Sequence, residues 1–354
     1  MSRANGDGSC RISSRPTINR RATSCPAAAA PNFGIIDGLL RPAAAMIIRP
    51  QLHWFRLLFV WRGSVLPQLL PRLMLILALS IAAIFMHDHM RSYPLGLGTP
   101  PFALIGIALA VFLGFRNNAS YERWWEGRRL WGTLAITARS LARQALTLPR
   151  ERDSDRTRQF VAALGGFAHA LRHQLRGTDP CDELAPRLPP ELHARTRDAQ
   201  FRPATILLWL GEWVADRSRE GSIDGYAVLA FEHNLNALSE VIGGCERLAT
   251  TPLPFSYSVM IHRTVYLFCA LLPFGLVDGA GLLTPLFSLL LAYAFMALEA
   301  IAAQIEDPFG VEENDLALNT MCETLEIALH DMVADAGFVR PPVKPSQAPG
   351  HVLD

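Results

Sequence analysis

Phe115-Arg116-Asn117-Asn118-Ala119-Ser120-Tyr121-Glu122-Arg123-Trp124-Trp125 is the stretch on which the reading of this chain turns. It closes Ser92–Phe115, 24 residues without a charge, so an apolar helix runs directly into amides, charges and a tryptophan pair. A bilayer-spanning helix needs about 20 mostly apolar residues, and this run supplies them. Its end has two readings. Trp and Arg anchor helix ends at a membrane interface. Alternatively the helix lines a water path, its apolar part a constriction and Arg116, Asn117 and Asn118 a vestibule. Ile107, Val111 and Phe115 recur every four residues and share one stripe about 12 Å long. Gly106, Ala110 and Gly114 form a small-residue stripe beside it, suited to close helix packing. In one chain such an apolar stripe faces lipid or another helix. Only a symmetric oligomer turns it into the rings of a pore.

Outward from this helix, three more uncharged runs appear: Leu73–Met86 with 14 residues, Thr264–Val277 with 14 and Gly279–Leu298 with 20. Together they predict four spans, at about 66–86, 96–115, 260–277 and 281–301. Arginine orients them. Arg49, Arg56, Arg62 and Arg72 precede the first span, and Arg116, Arg123, Arg128, Arg129, Arg139 and Arg143 follow the second. The connection 86–101 carries only Arg91, and the turn at Asp278 has no Lys or Arg. This asymmetry puts both termini and the middle of the chain in the cytoplasm.

The middle, about 116–258, alternates apolar and charged residues at helical spacing in Arg123–Ala145, Arg156–Arg176, Pro203–Glu220 and Tyr226–Leu248. Thr178–Pro190 reads as a loop, and no alternating strand stands out. The fold class is therefore an all-α membrane protein: four transmembrane helices with a cytosolic helical bundle between the second and third. Residues 1–45, net +4 and rich in Ser, Ala, Pro and Gly, read as a disordered extension ahead of an ordered chain that begins near Met46. No apolar signal-peptide core is visible there. The Pro-bearing tail 337–354 is expected to be disordered as well.

Composition agrees with a partly lipid-embedded chain. Of 354 residues 50% are hydrophobic and only 18% charged, against about 25% charged in a soluble domain. The 33 basic and 32 acidic side chains leave a net charge of +1, which argues against a nucleic-acid partner. Six widely spaced cysteines without a CxxC offer neither a disulfide framework nor a cysteine zinc site.

Signs of chemistry are sparse. No GxSxG, Walker A or GxGxxG-plus-acid pattern occurs, so no enzyme is read from the chain. His169 and His173 stand at i, i+4, a spacing that can hold a metal, but without the glutamate of HExxH. They keep open a metal-handling or non-conducting scaffold alternative based on the cytosolic bundle. His87-Asp88-His89 reads as a solvated cap. Carboxylates gather in Glu306–Asp315, where Glu312, Glu313 and Asp315 form a weak candidate calcium loop. The other reading of that turn is a helix cap, with Asp315 or Asn314 as N-cap for Leu316–Leu329.

Phe115–Trp125, Gly244–Phe255, Ile261–Phe268 and Glu306–Leu318 together resemble the bestrophin family, most closely its bacterial, anion-channel-forming branch. The resemblance runs from Met46 to about Asp331. It implies a channel domain over 46–336 that assembles as a homopentamer in the inner membrane, among lipids, with one pore on the fivefold axis. Small monovalent ions would pass, chloride-like anions or sodium-like cations, since the family contains both kinds. By position Ile107, Val111 and Phe115 match the hydrophobic neck. Tyr226, with Ile223 near it, falls at the cytosolic aperture, where an aliphatic residue is usual. Eukaryotic members bind calcium after a Pro-Phe-Gly motif; here Val311 and Asn314 interrupt the acidic run, and no cofactor is expected.

Overall fold

In lipid a backbone can satisfy its N–H and C=O groups only within its own helix, and the uncharged runs accordingly form long helices. The protein is described here from a computed structural model, which covers residues 55, 64–89, 99–150 and 153–335. The expectations for residues 1–45, for Met46 and for the tail 337–354 lie outside those residues. Every described element is helical: α1 (Leu66–His89), α2 (Thr99–Thr147), α3 (Ser154–Arg176), α4 (Cys181–Leu184), α5 (Pro190–Arg197), α6 (Arg202–Arg219), α7 (Gly225–Thr250), α8 (Phe255–Ala280), α9 (Thr284–Ile305) and α10 (Leu318–Asp335).

Among the described residues three helical runs are long and apolar enough to cross a membrane: Leu66–His89, Thr99–Thr147 and Phe255–Ile305. The third holds α8 and α9, two helices packed on each other. The break between them is a short 3-10 turn over Gly281–Leu283, where Gly281 takes φ 52°, a left-handed value that favours glycine. The second run differs from expectation. Instead of a span followed by a separate helix at Arg123, one helix of 49 residues continues through both regions. No proline lies between Phe102 and Leu148 to stop it, and Asn117, the residue best able to break it, donates its amide to its own helix at Leu113 O (2.9 Å).

Helix α2 is thus shared by two layers. Its apolar half packs on α8 and α9, which also hold α1, in a core of Leu69, Leu73, Leu109, Leu113, Val265 and Phe268. Its polar half packs on α3, α7 and α10, and α6 packs on α3 and α7, around Phe160, Phe167, Phe231 and Leu238. The first layer leaves large apolar side chains outside: Leu75, Phe85, Leu104, Leu286 and Leu290 are all more than 60% exposed. Such a surface is unsustainable in water and ordinary against lipid.

The polar layer follows the expected helices within a few residues. Asp153 caps α3 by accepting from Arg156 N (3.1 Å), and Gly177 ends it at φ 64°. The expected loop Thr178–Pro190 contains the single turn α4. Helix α10 begins at Leu318, later than expected, because Asp315 does not cap it: its Oδ2 accepts from Glu312 N (2.6 Å) instead. Cys181, Cys245, Cys269 and Cys322 are free thiols.

Candidate functional site

The site is the outer face of α2. Ile107, Val111 and Phe115 are 65%, 51% and 62% exposed, so the stripe expected from their spacing is open along its length. The opposite face, Leu109, Leu113, Arg116 and Ser120, is buried. One side of this helix is therefore committed to the fold of the chain, and the other is free to meet lipid, another copy or a water path. The small-residue stripe behaves differently from expectation. A Cβ on Gly106 would meet the Phe268 ring at 3.4 Å, whereas one on Gly114 would meet nothing within 4 Å.

Past Phe115 the residues of the opening stretch separate into two sets. Arg116, expected in a vestibule, is 4% exposed and turned inward. Its guanidinium lies 3.2 Å from Glu299 Oε1 on α9 and 3.4 Å from Glu306 Oε2 just beyond it. Its direction follows from helix geometry, since one residue past Phe115 is about 100° round the axis, away from the stripe. Glu299 Oε1 also receives His262 Nδ1 (3.1 Å) from α8, whose ring stacks on Tyr266, and Tyr266 is in turn held by Arg72 of α1. One carboxylate thus gathers three helices, and the chain of polar contacts reaches the fourth. Asn117 is half-buried and adds a contact to Leu298 O (3.4 Å).

Arg123 is a second internal tie. Its Nε donates to Glu306 O (2.9 Å) and its terminal nitrogens to Thr251 O (2.6 Å) and Leu248 O (2.7 Å), joining α2 to the ends of α7 and α9. Trp124 Nε1 donates to Asn314 O (3.0 Å). The outward set is Asn118, Tyr121, Glu122 and Trp125, all exposed, of which only Asn118 was among the expected site residues. Glu122 was legible in principle: continuing the stripe as Phe115, Asn118, Glu122 needs only the knowledge that the helix does not break.

The two residues expected at an aperture part company. Tyr226 is 86% exposed on the first turn of α7, whose N-cap Asp224 accepts from Ala227 N (2.8 Å). Ile223 is 3% exposed and belongs to the core of the polar layer.

The acidic turn folds onto itself. Glu312 is exposed, Glu313 half-buried and Asp315 buried. Burial pushes the Asp315 carboxyl up to about 7. Gly310 is required beside it, since a Cβ there would stand 2.5 Å from Asp315 Oδ2. Among the described residues no three His, Cys, Asp or Glu side chains converge in a way that could hold a metal.

His169 and His173 do meet, around Glu183 rather than an open point. His169 is 3% exposed, with Nδ1 3.1 Å from Glu183 and Nε2 3.3 Å from Glu326. His173 reaches Glu183 (3.2 Å) and Thr178 Oγ1 (2.6 Å), Arg172 pairs with Glu183, and Arg187 pairs with Glu326 (3.0 Å). Hydrogen bonds from His169 and His173 outweigh burial and hold the Glu183 carboxyl well below the usual carboxylate range. Burial pushes Glu326 up, but bonds from His169 and Arg187 prevail and hold it at about 2. This is an ion-pair clamp between α3, α4 and α10.

An all-helical chain with long apolar helices and a lipid-type surface defines a membrane protein, and comparison with known proteins makes it specific. The profile of the family described as Bacterial/Fungal Bestrophin protein matches residues 46–331. A voltage-dependent anion channel-forming protein of Ralstonia nicotianae is 63% identical over 291 residues, 82% of this chain and 95% of the relative. One of Escherichia coli K12 is 44% identical over 292 residues, 82% and 95% of the two chains. The crystal structure of a bacterial bestrophin homologue from Klebsiella pneumoniae superposes with a TM-score of 0.73 at 41% identity, covering 75% of this chain and 98% of that one. The chain belongs to the bacterial bestrophin family.

Proposed function

We propose that this chain is the subunit of a homopentameric channel that passes small monovalent anions across the inner membrane through one pore on the fivefold axis. Four helices of each subunit, α1, the apolar half of α2, α8 and α9, cross the bilayer, and the polar layer and both termini lie in the cytoplasm. The observation that carries the reading is the exposed Ile107–Val111–Phe115 stripe on a helix whose other face is tied by a buried charge. Fivefold repetition converts that stripe into three stacked apolar rings, a constriction that gates by dewetting. It also gives each exposed flank of α2 a neighbour. The names of the relatives, anion channel-forming proteins, supply the ion class.

Purified oligomer in a planar bilayer under asymmetric NaCl tests the proposal. The expected result is a current whose reversal potential lies on the chloride side of zero. A pure, monodisperse oligomer that carries no current under any gradient would overturn it.

A further inference from the structure

Beyond Phe115 the stripe carries its first ionisable side chain at Glu122. Seven residues further along α2 is two turns, so Glu122 stands within about 20° of Phe115 round the axis and about 10 Å below it. It is exposed, as is Asn118 between them, whereas Arg116, the nearer charge in sequence, is buried against Glu299 and Glu306. The flanking Arg123 is spent on three backbone carbonyls, and among the described residues no cation pairs with Glu122. The next charge on the stripe is Glu126, four residues past Glu122, which is half-buried and paired with Arg247 of α7; the exposed Arg129 stands about 10 Å beyond Glu122 by helical rise. That is beyond a Debye length at physiological salt.

We infer that Glu122 sets the ion selectivity of the pore, its carboxylate opposing anions at the polar mouth of the neck. The inference rests on the reading of the α2 stripe as the pore face. On that reading five carboxylates ring the axis just where the apolar rings end. Apolar rings discriminate little by charge, and a ring of one sign beside low-dielectric walls focuses the field and concentrates counter-ions. The native channel therefore passes cations alongside anions to a degree that this ring determines. Neutralising it leaves the buried Arg116 cluster and the Glu126–Arg247 pair untouched and removes the first exposed charge beyond the neck.

The test is the chloride-to-sodium permeability ratio from reversal potentials in asymmetric NaCl, for the native protein, Glu122→Gln, Glu122→Asp and Phe115→Ala. Glu122→Gln should raise the ratio by about tenfold, the low end of what a focused charge does to local ion concentration. Glu122→Asp, which keeps the charge, should leave it near the native value. Both side chains are exposed, so oligomer yield should not change. An unmoved ratio in Glu122→Gln, with current altered in Phe115→Ala, overturns the selectivity role and leaves the neck standing. Native behaviour in both variants overturns the pore-face reading itself and this inference with it. An equal shift in Glu122→Asp would show that shape, not charge, acts at this position, and would also overturn the inference.

Discussion

The Arg116 guanidinium lies 3.2 Å from the Glu299 carboxylate, both side chains more than nine-tenths buried, one residue past Phe115 on α2. Packing between apolar helices in lipid is weakly directional, because acyl chains are as apolar as leucine. A buried charge pair is directional, since any rotation that separates the partners strands a charge. This pair therefore fixes the rotation of α2 that leaves Ile107, Val111 and Phe115 outward.

Arg116→Gln should destabilise the chain by about 3–5 kcal/mol, the usual result of stranding one partner of a buried pair. Adding Glu299→Gln should recover much of that loss, because the orphaned charge disappears. Thermal melting of the detergent-solubilised oligomer measures both. Equal losses in the single and double variants would show that the pair contributes through shape alone.

The His169–Glu183–Glu326 clamp should govern acid stability of the polar layer. Glu326 titrates at about 2 in the folded chain against an ordinary 4.5. A depressed carboxyl gives stability that is present above about 4.5 and is lost as pH falls toward 2. Glu326→Gln should cost about 1–3 kcal/mol at pH 7 by leaving His169 and Arg187 short of an acceptor. It should also flatten the decline of melting temperature between pH 4.5 and 2. A parallel decline in both proteins would remove the clamp from the account.

Asp315 runs in the opposite sense. Burial raises its carboxyl from 3.8 to about 7, and its Oδ1 has no hydrogen-bond partner, a place for the proton. A raised carboxyl gives stability that is full below about 4 and is lost as pH rises through 7. Asp315→Asn, a mimic of the protonated acid, should melt with less dependence on pH between 4 and 8. Retention of the native slope in that variant would place the titration elsewhere.

Much of this was legible in the sequence, for a definite reason. Uncharged runs and arginine asymmetry are local signals, and the lipid requirement makes them decisive, so the apolar helices and the Ile107–Val111–Phe115 stripe could be read directly. What escaped depended on partners far along the chain. Arg116 looks like a vestibule charge until Glu299, 183 residues away, turns it inward. Ile223 and Tyr226 stand three apart, one just before the cap of α7 and the other on its first turn, and only the packing of the polar layer decides that one is core and the other outside. Asp315 reads as a cap until the turn brings Glu312 N onto its carboxylate.

Current through Phe115→Ala, with Phe112→Ala as control, decides whether the open stripe of α2 lines the pore. Phe112 is 45% exposed but one residue on from Val111, about 100° round the helix and off the stripe. Phe115→Ala removes a ring of five phenyl groups from the constriction, which should wet more readily. A pore-lining Phe115 gives larger current at fixed voltage for Phe115→Ala with native oligomer yield, and near-native current for Phe112→Ala. If Phe115 instead served packing, its loss would cost about 3–5 kcal/mol at each site, lowering yield without raising current. That outcome, or a rise confined to Phe112→Ala, would take the stripe of α2 off the pore.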